Sequence, residues 1–192
     1  MKSELMRKGI HILIAFAPFL AGISKPNTAL FLMTGALFYA CLEGLRFVGF
    51  SPPFVTSVTN TVTRKWEEGR FELGPVTLAL GALLAILLFP PQAAAAGIYV
   101  LAFADSAATL VGKFFGRLRP AFMRGKSLEG SLACFAVASL ICFFIFDDWR
   151  VAVVTGLVSA AVEALSISDF DNLLLPLASG ATAALTAFLF LV

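Results

Sequence analysis

Carboxylates interrupt several apolar stretches of this chain, and a cluster of basic residues lies between two of them. The acidic members are Asp105, Glu129, Glu163 and Asp171, and the basic members are Lys113, Arg117, Arg119, Arg124 and Lys126. Carboxylate oxygens suit a hard cation such as Mg²⁺, which keeps several waters and bridges to phosphate oxygens. Basic side chains hold phosphates through charge-assisted hydrogen bonds. Acid, base and metal together favour phosphoryl transfer, a reaction that depends on positioning and electrostatics.

Some of these residues also have a structural interpretation. Glu129 is placed to complement the dipole of a helix that Ser127 caps. The basic residues are typical of a cytoplasmic anchor. Asp105 and Glu163 are the hardest to explain structurally, because an ionisable side chain within an apolar helix costs a few kcal/mol in lipid. Asp105 is therefore the best candidate for a general base.

Two further pairs of residues each have a structural and a functional interpretation, and both interpretations stay open. Gly112 and Gly116 permit either close helix packing, as a small-xxx-small pair, or close approach of the backbone to a phosphate. Glu43 and Arg46 lie one helical turn apart, which favours a structural ion pair over chemistry.

The elements that position these residues must be membrane helices. Of the 192 residues, 59% are hydrophobic and only 14% are charged, whereas soluble domains average about 25% charged residues. Three cysteines within apolar runs exclude a disulfide framework, and one histidine excludes a histidine-rich metal site. A net charge of +2 does not favour nucleic acid as a partner.

Hydropathy predicts an all-α, polytopic membrane protein with about seven transmembrane helices in a single integral domain, 1–192. A spanning helix needs about 20 apolar residues. The candidates are about 9–24, 28–48, 74–90, 93–112, 128–146, 149–167 and 173–191, and the first is expected to begin before Gly9. Prolines and glycines separate them.

The distribution of Lys and Arg predicts the orientation. With the N-terminus in the cytoplasm, twelve of the fourteen basic residues fall on the cytoplasmic side, and only Lys25 and Arg150 fall outside. The connections at about 49–73, 113–127 and 167–172 then face the cytoplasm. We expect the active site on that face, where nucleotides and Mg²⁺ are available.

A search for known catalytic motifs narrows the possible enzyme classes. The Gly125-Lys-Ser127 run is similar to the end of a P-loop, but the glycine that this motif requires earlier is replaced by Pro120. GxSxG, HExxH and paired CxxC motifs are absent from the sequence.

Four blocks of the chain together resemble the dolichol kinase and phytol kinase family. They are Glu4-Leu-Met-Arg-Lys-Gly-Ile-His11, Asp105-Ser-Ala-Ala-Thr-Leu-Val-Gly-Lys-Phe-Phe-Gly-Arg117, Gly125-Lys-Ser-Leu-Glu-Gly-Ser131 and Glu163-Ala-Leu-Ser-Ile-Ser-Asp-Phe-Asp-Asn-Leu-Leu-Leu-Pro176. They keep the order of the family and cover most of the chain. The segment 49–73 matches least.

The resemblance implies a kinase that transfers the γ-phosphate of CTP to a membrane lipid alcohol with Mg²⁺. The acceptor would be a polyprenol or dolichol, phytol, or diacylglycerol. Catalytic roles would fall to Asp105, Glu129 and Glu163, and Mg²⁺ ligation to Asp105, Glu129 and Asp171. CTP binding would involve Arg7, Lys8, His11, Gly112, Lys113, Gly116, Arg117, Lys126, Ser127 and Asn172.

Two other functions remain open from the sequence. The Asp-x-x-Ala and Lys-Ser-x-Glu-Gly elements are similar to those of CDP-diacylglycerol synthases, which use CTP as cytidylyltransferases. A small ion-coupled or proton-coupled transporter would also carry intramembrane acids, but spread over the depth of the membrane. Faces of small residues permit a homodimer.

Overall fold

The structure is a computed structural model and describes residues 2–50, 71–166 and 170–191. The helices are α1 Lys2–Leu13, α2 Ala17–Ile23, α3 Lys25–Phe47, α4 Gly74–Leu88, α5 Pro91–Tyr99, α6 Asp105–Phe114, α7 Leu128–Phe146, α8 Trp149–Leu165 and α9 Asp171–Leu191. Short 3₁₀ turns cover Ile14–Phe16 and Ala121–Met123, and a π-helical segment covers Val100–Ala104. No strand occurs among these residues, so the all-α prediction is confirmed.

Each of the seven apolar segments that the sequence predicts is helical. The first begins at Lys2, before Gly9 as expected, and runs through a 3₁₀ turn into α2. The basic connection is shorter than predicted, because α6 continues to Phe114. Residues 51–70 and 167–169, with Arg64, Lys65, Arg70 and Asp169, lie outside the described residues.

Length and composition single out part of this set as membrane spans. In the described ranges, four helical segments are long and apolar enough to cross a membrane: Lys25–Arg46, Pro91–Phe114, Leu128–Phe146 and Asp171–Leu191. Gly74–Leu88 is apolar but shorter, and α8 has 17 residues. The chain is therefore a polytopic membrane protein, and the count of seven crossings stays a prediction.

Side-chain caps explain where several helices begin. Ser127 accepts a hydrogen bond from the backbone N–H of Gly130 at 3.1 Å and starts α7. Asp148 accepts from the N–H of Arg150 at 2.7 Å and starts α8. These oxygens satisfy N–H groups that have no partner within the helix, and the cap predicted at Ser127 is confirmed.

A π-helical segment joins α5 to α6 and places Asp105 in the interior. Val100, Leu101 and Ala104 of this segment are fully buried, and Asp105 directly after them is 3% exposed. Such π segments in helices occur frequently at functional sites.

Glycines bring helices into backbone contact and set their register. A Cβ atom on Gly81 of α4 would overlap the carbonyl oxygen of Asn172 in α9, and one on Gly97 of α5 would overlap that of Pro176. A Cβ on Gly130 would lie 2.7 Å from the carbonyl oxygen of Ala108 in α6. These positions admit only glycine at the observed helix separation.

Gly112 also lies at a close helix contact, as the packing interpretation of this glycine predicts. A Cβ atom there would lie 2.9 Å from the Ser127 Oγ at the start of α7. A Cβ on Gly116 would overlap the carbonyl oxygen of Gly112 and approach Ser127.

The structural ion pair expected on α3 is confirmed. The guanidinium of Arg46 donates to both carboxylate oxygens of Glu43, from Nε at 2.8 Å and from Nη2 at 2.6 Å. Glu43 is fully buried and also accepts from the backbone N–H of Glu72 at 3.0 Å. The pair therefore ties α3 to the residues that precede α4.

Candidate functional site: a polar cavity at one end of the helical bundle

A cavity of about 560 Å³ lies where α1, α6, α7, α8 and α9 meet, and we call it the polar cavity. Its lining residues are Arg7, Lys8, His11, Asp105, Ala108, Thr109, Gly112, Lys113, Arg119, Arg124, Gly125, Lys126, Ser127, Gly130, Glu163, Ser166, Asp171 and Asn172. Six are Lys or Arg and three are Asp or Glu, which leaves an excess of three positive charges when His11 is neutral. Such a lining favours a polyanionic ligand.

One wall of the polar cavity is a buried charged cluster. Lys8 of α1 donates from Nζ to the Oδ2 atom of Asp105, and these side chains are 5% and 4% exposed. The Nδ1 atom of His11, one turn along α1, lies 3.5 Å from the same oxygen. Residues 97 positions apart are therefore joined at the start of α6.

Another part of the lining is built around Lys126. Its Nζ donates to the carbonyl oxygen of Glu163 and to the Ser166 Oγ at 3.0 Å. It also lies 3.4 Å from Glu163 Oε1 and 3.5 Å from Asp171 Oδ2. The other oxygen of Glu163 accepts from the Ser131 hydroxyl at 2.7 Å. One ammonium thus links the end of α8 to the start of α9.

The basic loop, residues 115–127, is held in place by side chains that bind its backbone. Glu129 accepts from the N–H groups of Arg117 at 2.9 Å and Leu118 at 3.1 Å. Arg119 donates to the carbonyl oxygens of Gly112, at 2.7 Å, and Gly125. These bonds close the loop against α6 and α7 and keep its cationic residues at the cavity.

The turn that directs this loop into α7 requires left-handed backbone. Arg124 has φ 49° and Gly125 has φ 88°, the region that glycine adopts readily and other residues seldom do. Met123, which precedes the turn, is 2% exposed and anchors it.

The amide of Asn172 fixes the start of α9. Its Nδ2 atom donates to the carbonyl oxygen of Gly74 and to the Thr77 Oγ1, both at 3.2 Å. This contact joins α9 to α4 beside the cavity, next to the close approach at Gly81. Asn172 therefore has a packing role that the sequence did not reveal.

The polar cavity brings together most of the residues that the sequence singled out. Gly116, Arg117 and Glu129 are absent from its lining, because they support the basic loop from behind it. Thr109 and Ser166 line the cavity but were not expected there. The sequence spacing could have predicted both as lining residues, since Thr109 follows Asp105 by one helical turn and Ser166 follows Glu163 by three residues.

The acids of the cavity do not form a ready-made metal cage. Among the described residues, no group of three His, Cys, Asp or Glu side chains is close enough to hold a metal ion. Each cavity carboxylate instead faces an ammonium group, either Lys8 or Lys126.

Comparison with known proteins finds lipid kinases. The chain is 30% identical to the phytol kinase of Synechocystis sp., over 98% of the chain and 82% of that protein. It is 33% identical to CTP-dependent diacylglycerol kinase 1 of Eremothecium gossypii, over 73% of the chain and 45% of the relative. It is 24% identical to the protein of the same name from Schizosaccharomyces pombe, over 93% of the chain and 91% of the relative.

These relatives differ in length. The chain spans about half the length of the diacylglycerol kinases of E. gossypii and Saccharomyces cerevisiae that it matches, at 45% and 51%. No protein-family model matches the chain. No solved structure matches it either.

Proposed function

The chain belongs to the dolichol and phytol kinase family of CTP-dependent lipid kinases, and on that premise we propose that it transfers the γ-phosphate of CTP to the hydroxyl of a membrane lipid alcohol. The observation that carries this proposal is the polar cavity. It combines an excess of positive charge with three carboxylates at one end of an apolar bundle. That combination suits a nucleotide triphosphate on one side and a lipid hydroxyl on the other.

The basic loop binds the triphosphate in this proposal. Arg119, Arg124 and Lys126 of this loop line the cavity, together with Lys113 from the last turn of α6. Cations held in a partly dehydrated site stabilise the charge that spreads over the oxygens of the transferring phosphoryl group. Their positions depend on the backbone bonds of Glu129 and Arg119.

Mg²⁺ fits this site when it arrives with the nucleotide. Protein sites for Mg²⁺ commonly supply one or two carboxylates and leave the other positions to substrate phosphates and waters. Asp105 and Asp171 line the cavity and would hold the ion, which would neutralise charge on the phosphates. Glu129, also expected as a ligand, binds loop backbone instead in this structure.

The orientation of the protein belongs to the proposal too. The cavity lies at the end of the bundle that holds most of the basic residues of the described helices and loop. The positive-inside rule assigns this end to the cytoplasm, where CTP is present. The hydroxyl of the lipid would approach from the inner leaflet.

The test follows the two labels of CTP in one assay. Purified protein with Mg²⁺ and γ-labelled CTP should label phytol, a polyprenol or diacylglycerol, and Asp105→Asn should slow the labelling by about 10²–10⁴. Transfer of α-label to phosphatidate, with release of pyrophosphate, would identify a cytidylyltransferase instead. Ion flux in protein liposomes that needs no CTP would indicate a transporter. The proposal fails if no alcohol takes up γ-label.

A further inference from the structure

A small apolar slot opens from the polar cavity between α1 and α4. It has a volume of about 20 Å³, and it shares Arg7 and His11 with the cavity. Ile10 of α1 and Pro75 and Leu78 of α4 form its apolar walls, and Glu72 also contributes. A volume of this size accommodates roughly one small group, such as a hydroxyl with the carbon that carries it.

Direct contacts join other pairs of helices around the cavity. Gly81 brings α4 against the backbone of Asn172 in α9, and the amide of Asn172 bonds two residues of α4. Gly130 brings α7 against α6. The hydroxyls of Ser159 in α8 and Ser179 in α9 bond at 2.8 Å. At these positions the helices of each pair touch, whereas the slot separates α1 from α4.

His11 lies where the slot meets the cavity. Its side chain is 6% exposed. Its Nδ1 atom is buried and makes no hydrogen bond of normal geometry among the described residues, since the nearest acceptor, the Asp105 Oδ2, lies 3.5 Å away. A buried polar atom without a well-formed hydrogen bond destabilises the fold. A ligand hydroxyl at this point would supply the missing hydrogen bond.

We propose that the slot between α1 and α4 is the acceptor subsite, in which His11 binds the hydroxyl of the lipid alcohol. The first carbons of the lipid lie between Ile10, Pro75 and Leu78, and the rest of its chain extends into the bilayer. The inference rests on the proposed function and adds to it the place where the acceptor enters. Apolar walls with a small number of polar groups are typical of small-molecule sites.

Filling the slot tests this placement. Ile10→Trp and Leu78→Trp should each raise KM for phytol or diacylglycerol in mixed micelles by about tenfold, which is about 1.4 kcal/mol. KM for CTP should stay unchanged. Leu13→Trp and Leu88→Trp are matched controls on the same helices, where the native side chains are 62% and 64% exposed. Equal effects of all four substitutions, or an effect confined to KM for CTP, would overturn the inference.

The role of His11 has its own test. His11→Asn keeps a polar atom near the position of Nδ1, whereas His11→Leu removes it. We expect KM for the lipid to rise in His11→Leu and to recover at least partly in His11→Asn, with CTP binding by calorimetry the same in both. An equal lipid KM in the two variants contradicts a hydrogen bond to the hydroxyl.

Photolabelling separates this inference from the proposed function. Analogues of phytol and diacylglycerol with a diazirine close to the hydroxyl should label peptides of α1 and the start of α4, and unlabelled alcohol should compete. This experiment requires no phosphate transfer. If γ-label reaches the lipid but the probe marks α7 and α8, the inference is wrong and the kinase function stands. If no alcohol is phosphorylated, the proposed function fails by itself.

Discussion

Around the polar cavity, ion pairs join helices far apart in the sequence, whereas at the opposite end of the bundle Asp148 pairs with Arg150 two residues away. Lys8 and Asp105 are separated by 97 positions, and their side chains are 5% and 4% exposed. The Arg150 side chain is 42% exposed, donates to Asp148 at 2.8 Å and lies over the Phe190 ring.

Charged residues have different roles at the two ends of the bundle. An exposed local pair is worth little and here completes a helix cap. A buried pair costs desolvation that its mutual attraction does not always offset. The buried ion pairs of the polar cavity are therefore better explained by ligand binding than by stability.

The largest effect is expected at the Lys8–Asp105 pair. Asp105→Asn should lower kcat by about 10²–10⁴, because this carboxylate is the candidate general base and Mg²⁺ ligand of the proposed reaction. It should also destabilise the fold by about 3–5 kcal/mol, because the Lys8 charge is left buried without its partner. Phosphate transfer and thermal unfolding in detergent measure the two effects.

A double variant separates stability from function at this pair. Lys8→Met with Asp105→Asn should recover most of the lost stability but none of the activity. Arg150→Met at the opposite end should alter neither by much. If the double variant regains activity, the pair is structural and the contrast between the two ends fails.

The next largest effect is expected at Lys126. Lys126→Met removes the ammonium that links Glu163, Ser166 and Asp171 and that binds a phosphate of CTP in the proposed function. KM for CTP should rise by about tenfold. Lys25→Met, an exposed lysine at the opposite end, is the matched control and should match the native enzyme in steady-state kinetics. A normal KM in Lys126→Met would remove this residue from the nucleotide site.

Substitution of Glu129 should affect KM for CTP more than kcat, and by less than substitution of Lys126. Glu129→Gln keeps one acceptor oxygen for the N–H groups of Arg117 and Leu118 but loses the charge that strengthens these bonds. A loosened basic loop should raise KM for CTP by about two- to fivefold with little change in kcat. A large fall in kcat together with a higher Mg²⁺ requirement would instead support the metal role that the sequence suggests.

The smallest effect is expected at Asp148. Hydrogen bonds from the Arg150 side chain and from the backbone N–H groups of Arg150 and Val151 lower the pKa of this carboxyl to about 2. Because the folded pKa lies below the unfolded value of about 3.9, the stabilisation is present above pH 4 and is lost as the pH falls toward 2. Asp148→Asn keeps a capping oxygen without the charge.

Melting temperatures measured against pH test this prediction. The small difference between native protein and Asp148→Asn should be constant at neutral pH and vanish between about pH 4 and pH 2. Activity at neutral pH should be the same in both proteins. A difference that persists at pH 2 would show that the charge of Asp148 plays no part in the cap.

Local sequence patterns predicted the helices and several contacts within them. Apolar runs of helical length predicted the helices, because hydropathy acts residue by residue. Ser127 predicted a cap, and Glu43 with Arg46 predicted a pair, because both contacts lie within one helical turn. The four sequence blocks also predicted which residues would be gathered near one site.

Only the tertiary structure decided which of those residues face one another. Lys8 reaches Asp105, Lys126 reaches Glu163, and Glu129 faces the backbone of the basic loop. These contacts depend on the rotation and register of the helices, which backbone approaches such as that of Gly81 to Asn172 fix across 91 positions of the chain. A residue type and its spacing specify one helix face. They do not specify the neighbour of that face, because the neighbour is chosen by packing over the whole bundle.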